Sequence, residues 1–293
     1  MLPPFVPIPF EHGAVFVNEK QEPSPVCSAS WPKAWNAKED VIVFVEDQIT
    51  CVRLAYGMIV SEHCFSLPEM FEALCVFFAD GYIFIGGKGG DKKIICIRLH
   101  DMLPIEVEHP NILKKYRKSI DDFFVWNEQV YAIDNHIHPK YLLGYSFDEK
   151  IWKCVERIKL KGHSSEERVR GGLLWGETLV LLSRSSHRAG STTYLSFYPN
   201  LIFERYLCWH KTLGSTGITD ITRIRIFQDE LLLITNDGVY LLSKGGTEVD
   251  VRCVSSEKYL VDVYPFAKKT WLGIVSKFGK KKKVLIYLNE DNA

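Results

Sequence analysis

The sequence predicts an all-β protein, a six-bladed β-propeller of four-stranded antiparallel blades. Short apolar runs rich in β-branched and aromatic residues recur along the whole chain, separated by short polar connections. The runs fall into successive groups of four, spaced about 40–50 residues apart, which is typical of propeller blades. No convincing amphipathic helix accompanies them, and the best helical candidate, Asn111–Ser119, spans one or two turns.

The clearest group of four runs lies near the middle of the chain. Its runs are Phe123–Trp126, Val130–Ile133, Tyr141–Phe147 and Ile151–Ile158. Polar turns or loops separate each run from the next, as expected for an antiparallel meander. This stretch therefore predicts one complete blade.

The remaining groups extend this pattern over the whole chain, 1–293, as a single propeller domain. The predicted blades cover residues 24–66, 68–110, 112–161, 163–211, 213–258 and 259–288. The opening strand of the first blade, Val26–Ser30, is the weakest of the set. The last group has only three runs, and an open ring would leave unpaired strand edges. The strand at 13–18 is therefore predicted to supply the missing outer strand of the last blade.

Composition fits a globular protein and identifies no partner. The 293 residues are 46% hydrophobic, enough for a sizeable core, and 36 basic side chains balance 36 acidic ones. No apolar run approaches the ~20 residues that span a membrane. The N-terminal sequence MLPPFVPIPFEHG lacks a positive segment and is rich in proline, so it does not predict a signal peptide.

The cysteines indicate a reducing compartment. All eight occur singly, mostly within apolar runs, and no CxxC pair is present, which argues against a zinc ribbon. Buried free thiols are typical of cytosolic proteins. We therefore expect a cytoplasmic or nucleocytoplasmic location.

Two blades resemble kelch repeats. The second blade contains YIFIGG, with the glycine pair Gly86-Gly87 after its second strand, and the third keeps Tyr145, Asp148 and Trp152 at the kelch spacing. The resemblance implies a kelch-like propeller, and such propellers are mostly protein-interaction modules. An adaptor role of that kind would need a second subunit. The resemblance assigns no functional residue.

Sorting the loops by face predicts a charge asymmetry. In a propeller, the connections between strands two and three and those between blades share one face. The sequence places most basic loop residues on that face and most acidic ones on the other, and a single-sign face attracts partners of opposite charge. The candidate contacts on the basic face are Lys92, Lys93, Lys114, Lys115, Arg117, Lys118, Arg184, His187, Arg188, Trp209 and Lys281.

The ligand of such a face stays open at this point. An acidic protein surface, a phosphorylated peptide and a nucleic acid backbone are all anionic. Nucleic acid is the least favoured, because the overall charge is balanced and no nucleic-acid-binding module is recognisable. A simpler interpretation is that the charged loops are only solvated and that Lys280–Lys283 blunts a strand edge.

One segment could bind a metal. His136 and His138 would point the same way in an extended segment that also contains Asp134, which suits shared coordination. A site would need further ligands from elsewhere, and two solvent-exposed imidazoles are the simpler explanation. The polar loop at 185–191 and the glycine-rich loop at 86–90 lack the arrangements that catalysis or phosphate binding require.

The leading hypothesis is a non-enzymatic scaffold or adaptor that binds an acidic protein partner through the basic face and needs no cofactor. The alternative is a six-bladed hydrolase or lactonase with a metal at the central channel, held in part by His136 or His138. An inhibitor or immunity-type protein that blocks an acidic site cannot be separated from the first hypothesis by sequence.

Overall fold

The computed structural model describes most of the predicted strands. It covers residues 6–10, 13–17, 34–38, 40–55, 58–111, 119–134, 140–158, 168–187, 190–199, 207–208, 221–227, 229–245, 248–267, 270–277 and 280–287. The chain divides into two compact units, Met1–Arg157 and Ile158–Ala293, and each is described by itself. Within the described ranges, no helix is long and apolar enough to cross a lipid bilayer.

The first unit contains one hairpin and three four-stranded sheets. The hairpin pairs β1 (Val6–Phe10) with β2 (Gly13–Val17). The first sheet contains β3 (Ala34–Lys38), β4 (Val41–Val45), β5 (Gln48–Ala55) and β6 (Met58–Ser66). The second contains β7 (Glu72–Ala79), β8 (Tyr82–Lys88), β9 (Ile94–Arg98) and β10 (Leu103–Ile105). The third contains β11 (Ile120–Trp126), β12 (Gln129–Asp134), β13 (Lys140–Ser146) and β14 (Ile151–Ile158).

The second unit contains two four-stranded sheets and one three-stranded sheet. The fourth sheet contains β15 (Arg168–Trp175), β16 (Thr178–His187), β17 (Gly190–Pro199) and β18 (Leu207–Cys208). The fifth contains β19 (Ile221–Phe227), β20 (Glu230–Thr235), β21 (Gly238–Gly245) and β22 (Glu248–Ser255). The sixth contains β23 (Leu260–Ala267), β24 (Thr270–Lys277) and β25 (Lys280–Tyr287).

Every sheet is a meander whose strands pair in chain order. The sequence favours this locally, because polar turn residues separate the apolar runs. Asp80-Gly81 and Asn127-Glu128 connect strands one and two of the second and third sheets, with positive φ at both residues of each pair. That is the backbone of a type I′ turn, whose twist matches a two-residue hairpin.

Neighbouring sheets pack through their first strands. In the first unit β7 contacts both β3 and β11, and in the second unit β19 contacts both β15 and β23. Five of these first strands, β7, β11, β15, β19 and β23, share a further irregularity. Near the start of each of these strands, the register of pairing with strand two shifts by one residue. The shift occurs at Leu74, Asp121, Arg170, Thr222 and Val261. A bulge at the same place in five sheets marks them as repeats of one unit.

Side-chain donors tie adjacent first strands together. Asn36 Nδ2 in β3 donates to the carbonyl of Val76 in β7 at 2.8 Å. In the second unit the Thr222 hydroxyl lies 3.0 Å from the carbonyl of Ile234 and 3.4 Å from that of Leu260, which opens the next first strand. The bonds to Val76 and Leu260 link a side chain to a backbone carbonyl of the neighbouring sheet, whereas the bond to Ile234 stays within the fifth sheet.

Aromatic packing fills the space between the second and third sheets. Trp152 is fully buried, with its ring centroid 5.0 Å from that of Tyr145 and 5.6 Å from that of Phe84. Buried aromatic rings contribute large apolar area and favourable edge contacts. Tyr145 and Trp152 are therefore core residues of this contact.

The Gly86-Gly87 pair has an equally structural role. A Cβ on Gly86 would lie 2.7 Å from both the Cys75 sulfur and the carbonyl oxygen of Ile120 in the next sheet. A Cβ on Gly87 would lie 2.5 Å from the Phe71 ring. Only a residue without a side chain allows both approaches.

Two predicted strands differ from the structure. The first sheet begins with Ala34–Lys38, whereas the predicted opening strand Val26–Ser30 lies outside the described residues. The predicted closing strand forms β2 and pairs with β1, in which Pro7 and Pro9 stand opposite Phe16 and Ala14. Hairpin pairing with the nearest segment closes a very short loop, which costs little chain entropy. The six-bladed closed ring stays a prediction.

The hydrogen bonds between first strands can be tested at Thr222. Thr222→Val keeps the side-chain shape and removes the hydroxyl donor, so we expect the free energy of unfolding to fall by about 1 kcal/mol. Urea denaturation measures the change. Thr222→Ser retains the donor and is the matched control. Unchanged stability in Thr222→Val would contradict a structural role for this bond.

Candidate functional site

The predicted contact residues fall into three classes in the structure. Lys92, Lys93 and Arg184 have described side chains, and Lys92 and Arg184 are exposed. For His187 and Lys281 the structure describes the strand pairing but not the side chain. His187 pairs with Gly190, and Lys281 pairs with Ser276. The other predicted residues lie outside the described ranges: Lys114, Lys115, Arg117, Lys118, His136, His138, Arg188 and Trp209.

Two connections of the first unit pack against each other and form the best-defined surface. One is the turn Pro68–Phe71 between the first and second sheets, here called the Met70 turn. The other is the segment 86–93, which comprises the end of β8 and its connection to β9 and is here called the Gly89 loop. A Cβ on Gly89 would lie 2.0 Å from the carbonyl oxygen of Met70. The backbones of the two connections are therefore in direct contact.

Lys93 holds the Gly89 loop from inside. Its side chain is fully buried, and its ammonium group donates to the carbonyls of Gly89 at 2.7 Å and Gly90 at 2.5 Å. Burial lowers the pKa of Lys93, and the nearby Asp91 carboxylate partly opposes this. The structure therefore places the Lys93 ammonium group on the loop's own carbonyls, and its predicted contact with a partner stays a prediction.

The Met70 turn presents an apolar side chain to solvent. The Phe71 amide bonds the carbonyl of Pro68 at 3.1 Å, and Met70 has a φ of 59° with 63% of its surface exposed. This is the third position of a type II turn, where glycine is favoured. A non-glycine residue in the left-handed region costs about 1–2 kcal/mol. The surrounding contacts hold Met70 in this conformation.

A cleft lies between the first and second sheets beside these connections. Its volume is about 280 Å³, and apolar side chains such as Ile49, Phe65 and Ile95 line it. Lys92 of the Gly89 loop and Pro68 of the Met70 turn also line it. Ser66, Glu106 and His109 complete its polar rim. The cleft, the Met70 turn and the Gly89 loop thus belong to one surface.

Charge on this surface is more mixed than the sequence predicts. Lys88 lies 3.1 Å from Glu72, and Lys92 lies 3.9 Å from Glu106. All four side chains are about half exposed or more, so each pair contributes little stability and exchanges readily with another partner. The sorting of loops also overlooked Glu46 and Asp47, which connect strands two and three of the first sheet.

The third sheet contains a buried carboxylate at the end of β12, shortly before the predicted metal ligands in the sequence. Asp134 ends β12, is fully buried and stands opposite Ile120, which Asp121 and Asp122 follow in β11. His136 and His138 come directly after Asp134 in the sequence. Among the described residues, no three His, Cys, Asp or Glu side chains are grouped as metal ligands.

The described cysteines include inert buried thiols. Burial raises the pKa of Cys51 and of Cys96 to about 12, so neither thiol ionises near neutral pH. Six of the described cysteines are thiols outside any disulfide: Cys51, Cys64, Cys75, Cys96, Cys154 and Cys253.

Sequence reasoning missed the Met70 turn and the cleft. Pro68 stands at the first position of the turn, whereas the second position, where proline is favoured, is Glu69. The sequence PEMF contains no glycine to reveal the positive φ at Met70. The cleft walls come from strands that read only as ordinary apolar runs.

Comparison with known proteins identifies a fold and no family. No family model matches the chain, and no curated protein matches it. Solved structures do. The WD40 β-propeller domain of Doa1 is 10% identical at a TM-score of 0.60, with 92% of this chain and 85% of that chain covered. A Bacteroides uniformis protein provisionally named 6-phosphogluconolactonase is 10% identical at a TM-score of 0.60, covering 94% and 92%.

Other similar structures are much longer. PorZ from Porphyromonas gingivalis is 10% identical at a TM-score of 0.62, with 99% of this chain covered but only 37% of that chain. The chain likewise spans 35% of the extracellular domain of BT4673 from B. thetaiotaomicron. Together with the antiparallel meanders, these similarities show an all-β fold of the β-propeller type.

A comparison of variants at Lys93 and at the neighbouring Lys92 tests the role of Lys93. Lys93→Met removes the donor to two carbonyls, so we expect the free energy of unfolding to fall by about 1–3 kcal/mol. Hydrogen exchange of the Gly89 loop amides should also accelerate. The control is Lys92→Met, whose exposed side chain should change stability by no more than about 0.5 kcal/mol. Equal effects of the two variants would contradict the assignment.

Proposed function

We propose that the protein is a non-enzymatic interaction scaffold that binds an acidic protein partner through the predicted basic face. The observation that carries this proposal is the pair of packed connections in the first unit. The Gly89 loop and the Met70 turn hold each other in one conformation, and the exposed Lys92 projects from them beside the cleft. A surface ordered before binding loses less conformational entropy when a partner docks.

Chain connectivity supports a positive charge balance here. Besides the buried Lys93, the sequence segments 67–72, 88–93 and 106–119 carry six basic and five acidic side chains. Four of the six, Lys114, Lys115, Arg117 and Lys118, occur in the sequence just before Ser119, which pairs with Lys88 of the Gly89 loop. Net positive charge beside an exchangeable ion pair favours an anionic partner.

Propeller relatives support protein binding only in general terms. PorZ is named as a surface component of a secretion system, and propellers with unrelated sequences share the fold. The fold by itself assigns no activity. The free thiols fit the expected cytoplasmic location, which remains part of the proposal together with the absence of a cofactor.

The predicted ring closure is also part of the proposal. We expect six blades, with the strand at 13–18 completing the three-stranded sixth sheet. In the described residues β2 pairs with β1 through one edge. Its other edge would then extend the sixth sheet.

Truncation tests the closure. Removing residues 1–18 should lower the melting temperature by about 5 °C or more, because a complete strand pairing is lost. Removing only residues 1–10 deletes β1, keeps β2 and is the matched control. Equal melting temperatures for the full chain and the longer truncation would exclude the closure.

Charge reversal tests the scaffold function. A partner is first recovered by affinity purification from native lysate at low salt. Changing Lys114, Lys115, Arg117 and Lys118 to Glu should then slow its association at least about tenfold at low salt, with a smaller effect at high salt. Lys92→Glu should act in the same direction. Lys150→Glu, in a turn between strands three and four, is the matched control.

Two results would contradict the scaffold proposal. One is a partner whose affinity and salt dependence are the same for the charge-reversed variant and the native protein. The other is the absence of any stoichiometric partner together with a tightly held cation in the purified protein. The second result would favour the alternative function, a hydrolase or lactonase of the six-bladed kind.

The alternative draws its support from the sequence order. His136 and His138 follow the buried Asp134 within four residues. Carboxylates and imidazoles are common ligands of divalent metals. Metal analysis of the purified protein is its direct test, and His136→Ala with His138→Ala should then release the bound cation.

A further inference from the structure

We infer that the cleft between the first and second sheets binds an extended basic segment of a protein. One apolar side chain of that segment fills the cleft, and its flanking lysine or arginine residues meet the carboxylates at the border. This inference goes beyond the proposed function, because it adds a second ligand of the opposite charge.

The volume and lining of the cleft suit a single apolar side chain. Its volume of about 280 Å³ lies just below the range typical of small-molecule pockets. The lining is largely apolar, with Ile49 and Ile95 buried and Phe65 partly exposed. Interfaces commonly gain most of their affinity where one apolar anchor fills such a cleft.

The wall of the cleft that carries acidic residues is fixed to the third sheet. Glu106 and Val107 line the cleft directly after β10, and Glu108 follows them. The Glu108 amide donates to the carbonyl of Lys150 at 3.0 Å, and the Trp152 amide donates to the carbonyl of Glu108 at 2.9 Å. A ligand therefore meets a wall that is already ordered, and less conformational entropy is lost on binding.

Met70 offers a further apolar contact at the same surface. Pro68 of the Met70 turn lines the cleft, and Met70 is 63% exposed at a positive φ. Glycine would form this turn more easily, and packing within the protein does not explain a methionine whose surface mostly meets solvent. Strained residues occur preferentially at binding sites, and methionine suits adaptable apolar contacts.

The described charges around the cleft are predominantly negative. Two exposed lysines stand against five exposed carboxylates in the segments 67–72, 88–93 and 106–109, because the remaining lysine, Lys93, is buried. A local surplus of negative charge attracts a basic segment and disfavours an acidic one. The two lysines are Lys88 and Lys92, and the five carboxylates are Glu69, Glu72, Asp91, Glu106 and Glu108.

Glu106 is the carboxylate best placed to receive a cation of the ligand. It lines the cleft, its side chain is 98% exposed, and its 3.9 Å pairing with Lys92 contributes little stability. A lysine or arginine next to the apolar anchor therefore replaces Lys92 beside Glu106. Lys92 then stays available to the acidic partner of the proposed function, so the two ligands do not compete for one charge.

Synthetic peptides test the inference directly. The first probe is fluorescein-labelled Lys-Arg-Ser-Lys-Phe-Lys-Ser-Arg-Lys, with fluorescence anisotropy as the readout and the full chain as the receptor. The second probe replaces Phe by Ser. The third replaces every basic residue by Glu. We expect the Phe-centred basic peptide to bind at least about tenfold more tightly than either of the others.

Two variants locate the apolar contact. Ser66→Trp fills the cleft from its exposed rim and should weaken binding of the Phe-centred peptide at least about tenfold. Met70→Gly removes the exposed side chain and should weaken it about threefold or more. Neither should change binding of the Ser-centred peptide. Val60→Trp, at an exposed position of the same strand outside the cleft lining, is the matched control.

A double variant tests the charges at the border. Glu106→Gln with Glu108→Gln removes two carboxylates and keeps the size of both side chains. The Phe-centred peptide should then bind about threefold or more weakly at low salt, with a smaller difference at high salt. Glu128→Gln, at an exposed turn position of the third sheet, is the matched control.

Stability measurements separate lost contacts from lost structure. Met70→Gly should leave the melting temperature within a few degrees of the native value, because relief of the positive φ offsets the added chain entropy. Weaker peptide binding by a variant with an unchanged melting temperature therefore reports a lost contact. If Ser66→Trp unfolds the protein, Met70→Gly and the double glutamate variant decide the outcome.

Several results would overturn the inference. Absence of binding by the Phe-centred peptide at low millimolar concentration is one, and equal binding of the Glu-rich peptide is another. Self-association of the protein that Ser66→Trp abolishes would show a second copy in the cleft instead. Charge reversal at 114–118 tests the acidic partner separately, so a failure of the cleft variants leaves the proposed function standing.

Discussion

The closeness of neighbouring first strands is the constraint on which the rest of this structure depends. Where β8 and β11 meet, a Cβ on Gly86 would lie only 2.7 Å from the carbonyl oxygen of Ile120, so this approach leaves no room for a side chain at Gly86. Side-chain donors such as those of Asn36 and Thr222 then satisfy carbonyls across the gap. Buried polar groups without partners would be costly, so tight packing and hydrogen bonding require each other here.

The same constraint places the loops. Within the first unit β7 contacts β3 and β11, within the second unit β19 contacts β15 and β23, and a bulge near the start of the first strand in five sheets repeats the same local geometry. The connections leading into these strands therefore start from defined positions. The Met70 turn enters β7, and Phe71 fills the space beside Gly87. The conformation of the Met70 turn thus depends on contacts between sheets.

The fold was accessible to sequence analysis because its signal is local and repeated. Apolar runs and polar turns alternate through most of the chain, and the six sheets fall within the six predicted segments. The strand Ala34–Lys38 was missed because AWNAK contains few strongly β-forming residues. Its partner β4 is buried throughout, so pairing rather than intrinsic preference determines this strand.

The candidate site was less accessible, because it depends on contacts between distant residues. Lys92 and Lys93 are neighbours of identical type, and only the carbonyls of Gly89 and Gly90 distinguish the buried one from the exposed one. The assignment of loop charges to faces assumed that every loop lysine is free to contact a partner. Ion pairs with Glu72 and Glu106 show that local compensation has to be subtracted before such a face is called basic.

The two prolines of β1 have a consequence for how sheets can grow. Residues at alternate positions direct their backbone groups to the same side of a strand, and proline has no N–H. Pro7 and Pro9 therefore leave one side of β1 with acceptors only, while the amides of Val6, Ile8 and Phe10 serve the other side, toward β2. An added strand therefore finds a complete set of backbone donors only along β2. The outer edge of β1 does not favour edge-to-edge pairing between chains.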